Sequence, residues 1–242
     1  SFDMLRTTGI KILNGGPGSG KTTTVNTLIR YIEEYYHPED PITLCAPTGC
    51  ASQNMASKTH RIAQTIHKTL DYKPFGENAI VKDLKGKFFI VDEMSMLDEE
   101  LAYLFFSSLP TEAVVILVGD VDQLPSVGYG NVLQDLYNCP FIETYTLNGT
   151  HRQSENSTIV TNARKINRQE TDLLLEENDF TVLSVDTEED VEILGLSALK
   201  NLKNSICLCP MKKHYAGTYS INSKYCPNKG NVEKWYGDFV YR

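Results

Sequence analysis

The chain has 242 residues, enough for one large domain or for one domain and part of another, and 41% of them are hydrophobic, as is usual in globular proteins. No apolar run approaches the roughly 18 residues of a membrane span, and residues 1–6 lack the apolar core of a secretory signal, so we expect a cytoplasmic protein without a membrane partner. The net charge of −8 does not indicate nucleic-acid binding, although a locally basic groove is compatible with it.

The first predicted strand, at 10–13, leads into a glycine-rich segment at 15–22 that fits the pattern G-x-x-x-x-G-K-[ST]. Apolar residues at helical spacing follow, and strand, loop and helix in this order are typical of a phosphate-binding loop, whose backbone N–H groups surround a β-phosphate. We therefore expect Lys21 to reach the β- and γ-phosphates of a nucleoside triphosphate and the Thr22 hydroxyl to hold Mg²⁺. The residues expected to bind the nucleotide are Gly16, Pro17, Gly18, Ser19, Gly20, Lys21, Thr22 and Thr23.

The alternation of strands and helices continues along the chain to about residue 147. The other predicted strands are short apolar runs, at 42–46, 88–91, 114–118 and 141–147. The helix after the second strand is expected to end near Leu70, and Asp98 is expected to cap the helix after the third. This pattern predicts an α/β fold in which a mostly parallel sheet carries helices on both faces and binds ligands beyond the carboxyl ends of its strands.

The last third of the chain has a different pattern. A new unit is predicted to begin near residue 180, with a strand at 205–209 and a helix at 215–226. Cys207 and Cys209 would share one face of that strand. The six cysteines show no metal-finger spacing, which predicts reduced structural thiols rather than a zinc site.

Polar residues after the third and fourth predicted strands are candidate catalytic groups. Asp92 is placed to bind Mg²⁺ directly or through water, and Glu93 can polarise the attacking water as a general base. Gln123 carries a neutral amide that can hydrogen-bond both the γ-phosphate and that water. Asp-Glu after apolar residues is usually a helix cap, but a phosphate-binding loop in the same sheet favours the catalytic interpretation.

Arg152, after the fifth predicted strand, is the candidate arginine for the γ-phosphate. Phosphoryl transfer spreads negative charge over the γ-oxygens, and an arginine placed there is worth roughly 10³–10⁵ in rate. On composition alone, a surface arginine is an equally good interpretation.

Taken in order, these motifs resemble the RecD-like branch of superfamily 1 DNA helicases, which move 5′ to 3′. The matching segments are GGPGSGKTTT, APTGCAS, TIH, VDEMSMLD, GDVDQLPSVGYGN, THRQ, ARKIN and CPMKK. The resemblance implies ATP and Mg²⁺ as cofactors, with the catalytic roles given above. It also implies a RecA-like P-loop NTPase domain at 1–168, with a small hairpin insertion at 71–86, and an incomplete second α/β lobe at 169–242.

The resemblance further implies that single-stranded DNA contacts Pro47, Thr48, Gly49, Thr65 and His67. A loop at a strand end with small hydroxyl residues can bind phosphates without reading bases, and His67 or a nearby aromatic residue can stack on any base. Without the resemblance, His67 would be taken for an ordinary helix residue. Other subunits of a recombination or repair complex are candidate partners.

The sequence departs from the family pattern in three places. Cys50 stands where relatives commonly have an arginine, and no adenine-reading glutamine segment is visible in residues 1–14. The later helicase motifs would follow residue 242. We therefore expect a fragment of a helicase, with one lobe and the opening part of a second, that alone binds nucleotide poorly and turns it over slowly.

Two other functions remain as alternatives to a 5′-to-3′ DNA translocase. A nucleotide-switched DNA-binding scaffold in a recombination complex would not need Glu93 or Arg152. A different P-loop enzyme, such as a small-molecule kinase, would be expected to replace Glu93 and to carry a lid, and the GDVDQLP segment argues against it. RNA as a substrate stays open, because phosphate and stacking contacts do not exclude a 2′-hydroxyl.

Overall fold

The computed structural model describes residues 2–36, 42–75, 78–147, 157–177, 179–203 and 205–225. The described strands are β1 (Gly9–Gly15), β2 (Ile42–Ala46), β3 (Ala63–Thr65), β4 (Lys73–Phe75), β5 (Asn78–Ile80), β6 (Phe88–Val91), β7 (Val114–Gly119), β8 (Glu143–Leu147), β9 (Glu176–Glu177) and β10 (Phe180–Thr181). The described helices are α1 (Lys21–Tyr35), α2 (Gly49–Thr59), α3 (Ile66–Thr69), α4 (Glu99–Ser107), α5 (Val132–Tyr137), α6 (Thr158–Asn167), α7 (Glu188–Asn201) and α8 (Thr218–Tyr225). Short 3₁₀ turns occur at Phe2–Leu5 and Met94–Met96.

The chain divides into two compact units, Ser1–Leu174 and Leu175–Arg242. The domain boundary expected from the sequence, after residue 168, lies six residues before this division. The first unit contains the sheet and every described candidate site residue.

Six strands of the first unit form one sheet in the order β3-β2-β6-β7-β1-β8. Every pairing within this sheet is parallel. All residues of β6 and β7, in the middle of the sheet, are buried, as expected for strands that helices cover on both faces. The parallel order places the carboxyl ends of all six strands at one edge.

Side chains from the sheet pack into two apolar layers, one on each face. Adjacent residues of β7 contribute to different layers, Val114 to one and Val115 to the other, because successive side chains of a strand point to opposite faces. Leu28 of α1 packs in the first layer and Phe105 of α4 in the second. Helices therefore cover both faces, and the predicted RecA-like α/β fold class is confirmed.

Gly119 ends β7 where this strand, α5 and the Met94–Met96 turn meet. A Cβ at this position would lie 2.7 Å from Leu133 Cδ2 and 3.4 Å from Met94 Cβ, so Gly119→Ala overpacks the core. We expect it to lower the free energy of unfolding by about 1–3 kcal/mol, measured by urea denaturation. Gly49→Ala is the control, because its Cβ would meet nothing within 4 Å. Equal stability of the two variants would contradict this packing argument.

The sequence predicted a single helical stretch from β2 to Leu70, and this expectation is wrong. His60 has a φ of 55°, in the left-handed region, and ends α2 because a right-handed helix cannot continue through that conformation. The chain then forms the edge strand β3, three residues long, and the short helix α3. A three-residue strand carries too few residues for a recognisable periodic pattern.

The turn-rich stretch after Leu70 contains a small antiparallel pair, β4 and β5. Backbone hydrogen bonds anchor the segment that follows this pair: Lys82 N–H donates to the Leu70 carbonyl at 2.9 Å and Leu84 N–H to the Ser108 carbonyl at 2.8 Å. The two strands lie inside the 71–86 stretch where relatives are expected to insert a hairpin.

The described part of the second unit consists of α7, α8 and the short antiparallel pair β9 and β10. Glu192 of α7 is almost fully buried and accepts hydrogen bonds from Ser220 Oγ and, at 2.5 Å, from Lys224 Nζ of α8. Residues 205–209 form no strand, so the prediction of a strand there is wrong. The helix predicted at 215–226 is present as α8, which begins at Thr218. Cys207 and Cys209 do face each other, with 3.9 Å between their Sγ atoms.

Candidate nucleotide and DNA site

The phosphate-binding loop joins β1 to α1 at the carboxyl edge of the sheet. Gly18 and Gly20 have φ values of 77° and 94°, a left-handed conformation that glycine adopts without strain. Gly20 is the N-cap of α1, and no side chain caps that helix, so its first N–H groups remain available to an anion. A Cβ at Gly16 would meet nothing within 4 Å, which leaves space beside the loop.

Polar groups inside the loop fit a phosphate ligand. Ser19 Oγ is buried and has no hydrogen-bond partner among the described residues, a costly state that a bound oxyanion would relieve. Lys21 Nζ donates to the carbonyl oxygens of Gly15 and, at 3.1 Å, Gly16, so the loop's own oxygens hold the ammonium group at its mouth. Thr22 is the next residue of α1, and its hydroxyl is the oxygen donor type that Mg²⁺ prefers.

Asp92 and Glu93 directly follow β6, at the same edge of the sheet as the loop, with β7 between β6 and β1. Asp92 N–H donates to the Cys45 carbonyl at 3.0 Å, which extends the pairing of β6 with β2 by one residue. Its Oδ1 accepts a hydrogen bond from Glu93 N–H at 2.9 Å. Glu93 has a φ of 55°, and a non-glycine residue in this strained conformation is typical of functional sites.

Burial raises the pKa of both carboxyl groups. For Asp92, desolvation is the main cause; the hydrogen bond from Glu93 N–H and the charges of Lys21 and Lys58 act in the opposite direction. Desolvation also raises the pKa of Glu93, and the neighbouring Asp92 charge adds to it. The positive charge near these two carboxyl groups does not offset the cost of burying them, and carboxylate oxygens are ligands for divalent cations. The pair therefore fits a divalent cation.

The raised pKa values predict a pH dependence of stability. A carboxyl pKa that is higher in the folded than in the unfolded state means that the folded state binds more protons. The contribution of Asp92 and Glu93 to stability is therefore greatest below the ordinary carboxyl pKa. It is lost as pH rises through their raised pKa values. We expect Glu93→Gln to raise the melting temperature at about pH 7 and to match the wild type near pH 3. Calorimetry without Mg²⁺ across this range measures it, with exposed Glu112→Gln as the control. A lower melting temperature of Glu93→Gln at neutral pH would contradict the prediction.

A hydrogen-bonded network holds the loop that follows β7. Gln123 Nε2 donates to Asp120 Oδ2 at 3.3 Å, and Asp120 Oδ1 accepts from Asp122 N–H at 3.1 Å. Asn14, at the end of β1, accepts from Val121 N–H at 3.1 Å and so joins this loop to the strand before the phosphate-binding loop. The sequence assigned no role to Asn14 or Asp120, although both are polar residues at the ends of apolar strands.

The first candidate DNA segment, residues 47–49, follows β2 at the same edge of the sheet. Thr48 Oγ1 accepts a hydrogen bond from Ala51 N–H at 3.2 Å, so Thr48 caps α2. Ser52 Oγ donates to the Gly49 carbonyl at 2.9 Å, which fixes the first turn of the helix. Cys50, in place of the expected arginine, is exposed on this turn and supplies no positive charge.

The second candidate DNA segment lies at the end of the edge strand β3. Thr65 Oγ1 accepts from Lys68 N–H at 3.2 Å and caps α3. The exposed His67 packs its ring edge-to-face against Tyr72, with 5.1 Å between the centroids. The strands β2 and β3 are parallel neighbours; Thr48 follows the end of β2 by two residues, and Thr65 is the last residue of β3.

Arg152 lies outside the described residues, so its predicted role stays a prediction.

Within the described ranges, no group of three or more histidine, cysteine, aspartate or glutamate side chains could hold a metal ion. Thr22 and Asp92 stay the predicted ligands of Mg²⁺. None of the described helices is long and apolar enough to cross a membrane.

Residues 3–129, more than half of the chain, match the sequence profile of the AAA domain. The chain belongs to the AAA domain family. This AAA domain protein is 34% identical over 160 residues to the ATP-dependent RecD2 DNA helicase of Deinococcus radiodurans, a match that covers 66% of the chain and 22% of that relative. It is 36% identical over 151 residues to the RecBCD enzyme subunit RecD of Mycobacterium tuberculosis, covering 53% of the chain and 26% of that relative.

The chain thus spans about a quarter of the length of these curated relatives. Their similarity confirms the resemblance to RecD-like superfamily 1 helicases that the motifs predicted. A structure of Pif1 helicases, solved to explain DNA unwinding at forked duplex DNA, has a TM-score of 0.52 and 21% sequence identity to this AAA domain protein. The match covers 92% of the chain and 55% of the Pif1 chain, and it shows that the two share a fold.

Proposed function

We propose that this protein is an ATP-dependent DNA motor of RecD-like type that couples ATP hydrolysis to 5′-to-3′ movement on single-stranded DNA. One structural feature carries the proposal: the candidate nucleotide residues and the candidate DNA residues occupy one edge of the same parallel sheet. The nucleotide residues follow β1, β6 and β7, and the DNA residues follow β2 and β3. Two ligands bound along a single rigid edge can influence each other through the strands between them.

The nucleotide half of the site has the groups that phosphoryl transfer requires. The N–H groups of the loop and Lys21 bind the phosphates, and Glu93 takes a proton from the attacking water. Thr22 and Asp92 would hold Mg²⁺, which when bound neutralises charge on the phosphates. Gln123, held by Asp120, is the proposed sensor of the γ-phosphate. Arg152 is proposed to stabilise the negative charge that develops on the γ-oxygens.

The DNA half of the site suits a single strand of any sequence. Thr48 and Thr65 are small hydroxyl residues at helix N-termini, a setting that binds phosphates without reading bases. Exposed Gly49 completes the first segment beside Pro47, which is buried, and exposed His67 offers a ring on which a base can stack. These contacts would let the protein move along DNA, because none of them depends on the base sequence of the strand.

The names of the relatives support the cellular role that we propose. The Deinococcus radiodurans relative is an ATP-dependent DNA helicase, and the Mycobacterium tuberculosis relative is a subunit of the RecBCD enzyme. We infer a role in recombination or repair, with other subunits of such a complex as candidate partners. A cytoplasmic location stays a prediction.

Streptavidin displacement tests the proposed movement. The protein is incubated with ATP, Mg²⁺ and oligonucleotides that carry biotin at either the 3′ or the 5′ end. We expect faster release of streptavidin from the 3′ end only, and no release with a non-hydrolysable analogue. Release from the 5′ end alone would reverse the direction. Absence of release from both ends would contradict the motor, and an RNA oligonucleotide tests the choice of nucleic acid.

A further inference from the structure

Residues 58–61 join the two candidate DNA segments. They lie at the end of α2, which begins at the Thr48 cap, and before β3, which ends at Thr65. His60 within this segment adopts the left-handed φ of 55°, a conformation that non-glycine residues hold only where their surroundings impose it.

Two side-chain linkages tie the segment to α1, the helix that begins with Lys21 and Thr22. Asn26 Nδ2 donates to the Lys58 carbonyl oxygen at 3.2 Å. In the last turn of α1, Glu33 receives a two-pronged ion pair, in which Arg61 Nε donates to Oε1 at 2.7 Å and Arg61 Nη2 to Oε2 at 2.5 Å.

The arginine also fixes its own segment. Arg61 Nη1 donates to the Thr59 carbonyl at 2.8 Å, so one guanidinium group bonds both α1 and the end of α2. The planar guanidinium group makes such paired bonds with a defined direction, which a lysine cannot reproduce. The residues of each linkage are about thirty apart in sequence, 28 for Arg61 and Glu33 and 32 for Asn26 and Lys58.

We propose that residues 58–61 couple the nucleotide and DNA sites, because Arg61–Glu33 and Asn26–Lys58 fasten the link between the two DNA segments to the helix of the phosphate-binding loop. This inference rests on the proposed function and assigns Arg61, Glu33 and Asn26 as positioning residues. A displacement of Thr48 or Thr65 by a bound strand is transmitted through the segment to α1 and so to Lys21. Bound DNA thereby changes the affinity for the nucleotide. By reciprocity, a bound nucleotide changes the affinity for DNA by the same factor.

A purely structural role is the competing explanation. The Arg61 and Glu33 side chains are 35% and 46% exposed, and ion pairs at such exposure contribute little to stability. A structural role would therefore change the melting temperature slightly and leave the coupling factor intact. A coupling role would change the coupling factor instead.

The experiment measures the affinity for a fluorescent oligo-dT strand by anisotropy, with and without a non-hydrolysable ATP analogue, in Arg61→Ala, Glu33→Ala and Asn26→Ala. In each variant, we expect the ratio of the DNA dissociation constants with and without the analogue to move toward one by about 2–30-fold. The affinity for DNA without nucleotide and the basal rate of ATP hydrolysis should not change. The swap Glu33→Arg with Arg61→Glu should restore much of the ratio. Asp172→Ala, which breaks the 2.7 Å ion pair with Lys165 elsewhere in the unit, is the matched control.

The outcomes separate the two proposals. A wild-type ratio in all three variants would overturn the coupling role and leave the proposed motor intact. The coupling role would also be overturned if Arg61→Ala weakened DNA binding to the same extent with and without the nucleotide analogue. In that case Arg61 would contact DNA directly. If the wild-type protein binds no single-stranded DNA in either state, the proposed function fails and the coupling role fails with it.

Discussion

Replacing Glu93 with glutamine is expected to lower the rate of ATP hydrolysis by about 10²–10⁴-fold, the usual contribution of a general base. Glutamine keeps the size and hydrogen-bonding reach of the side chain but cannot take a proton from water. Nucleotide affinity should stay within a few-fold of the wild-type value, because Glu93 follows β6, two strands away from β1 in the sheet, and lies outside the phosphate-binding loop. Initial rates and equilibrium binding of a fluorescent nucleotide measure the two quantities separately.

The control for this variant is Glu99→Gln, which removes a carboxylate from the exposed first turn of α4. It should hydrolyse ATP at the wild-type rate. A Glu93→Gln protein that keeps more than about a tenth of that rate would place the general base elsewhere. The site would then fit a nucleotide switch better than a motor. Combined with the higher melting temperature predicted at neutral pH, a slow but more stable variant would show that Glu93 sacrifices stability for catalysis.

Replacing Lys21 with alanine is expected to lower kcat/KM for ATP by roughly 10²–10³-fold, the loss seen when one donor to a developing negative charge is removed. The same ammonium group donates to the carbonyls of Gly15 and Gly16 when no phosphate competes for it. Without it, a nucleotide should no longer raise the melting temperature, because ligand stabilisation follows binding to the folded state. Thermal scans with and without Mg²⁺ and an ATP analogue test this.

Lys85→Ala is the control, since Lys85 is exposed and belongs to no candidate site. It should show the full thermal shift with nucleotide. If Lys21→Ala showed the same shift, Lys21 would act only in the transition state. If it also kept the wild-type kcat/KM, the phosphate assignment of the loop would be wrong.

Several elements were predictable because their signals are local. The strands β2 and β6 have the bounds that their apolar runs predicted, and Asp98 Oδ1 accepts a hydrogen bond from Leu101 N–H at 2.9 Å, as its position before α4 implied. The glycine pattern of the phosphate-binding loop identifies a conformation, and Gly18 and Gly20 adopt it. Each of these features depends on residues within a few positions of one another.

Features that depend on distant residues were not predictable in this way. The pair of Arg61 with Glu33 needs the packing of α2 beside α1, and the bond of Asn14 to Val121 needs the register of β1 beside β7. The left-handed conformation of Glu93 leaves no pattern in the sequence. Such contacts require that the whole sheet be assembled first.

ATP hydrolysis by the protein, measured with and without single-stranded DNA, decides whether the protein is a DNA motor. We expect the rate to rise with DNA concentration until it saturates. The Glu93→Gln variant should show no such rise. A rate that is the same with and without any nucleic acid would contradict a DNA motor and would favour a nucleotide switch or another P-loop enzyme.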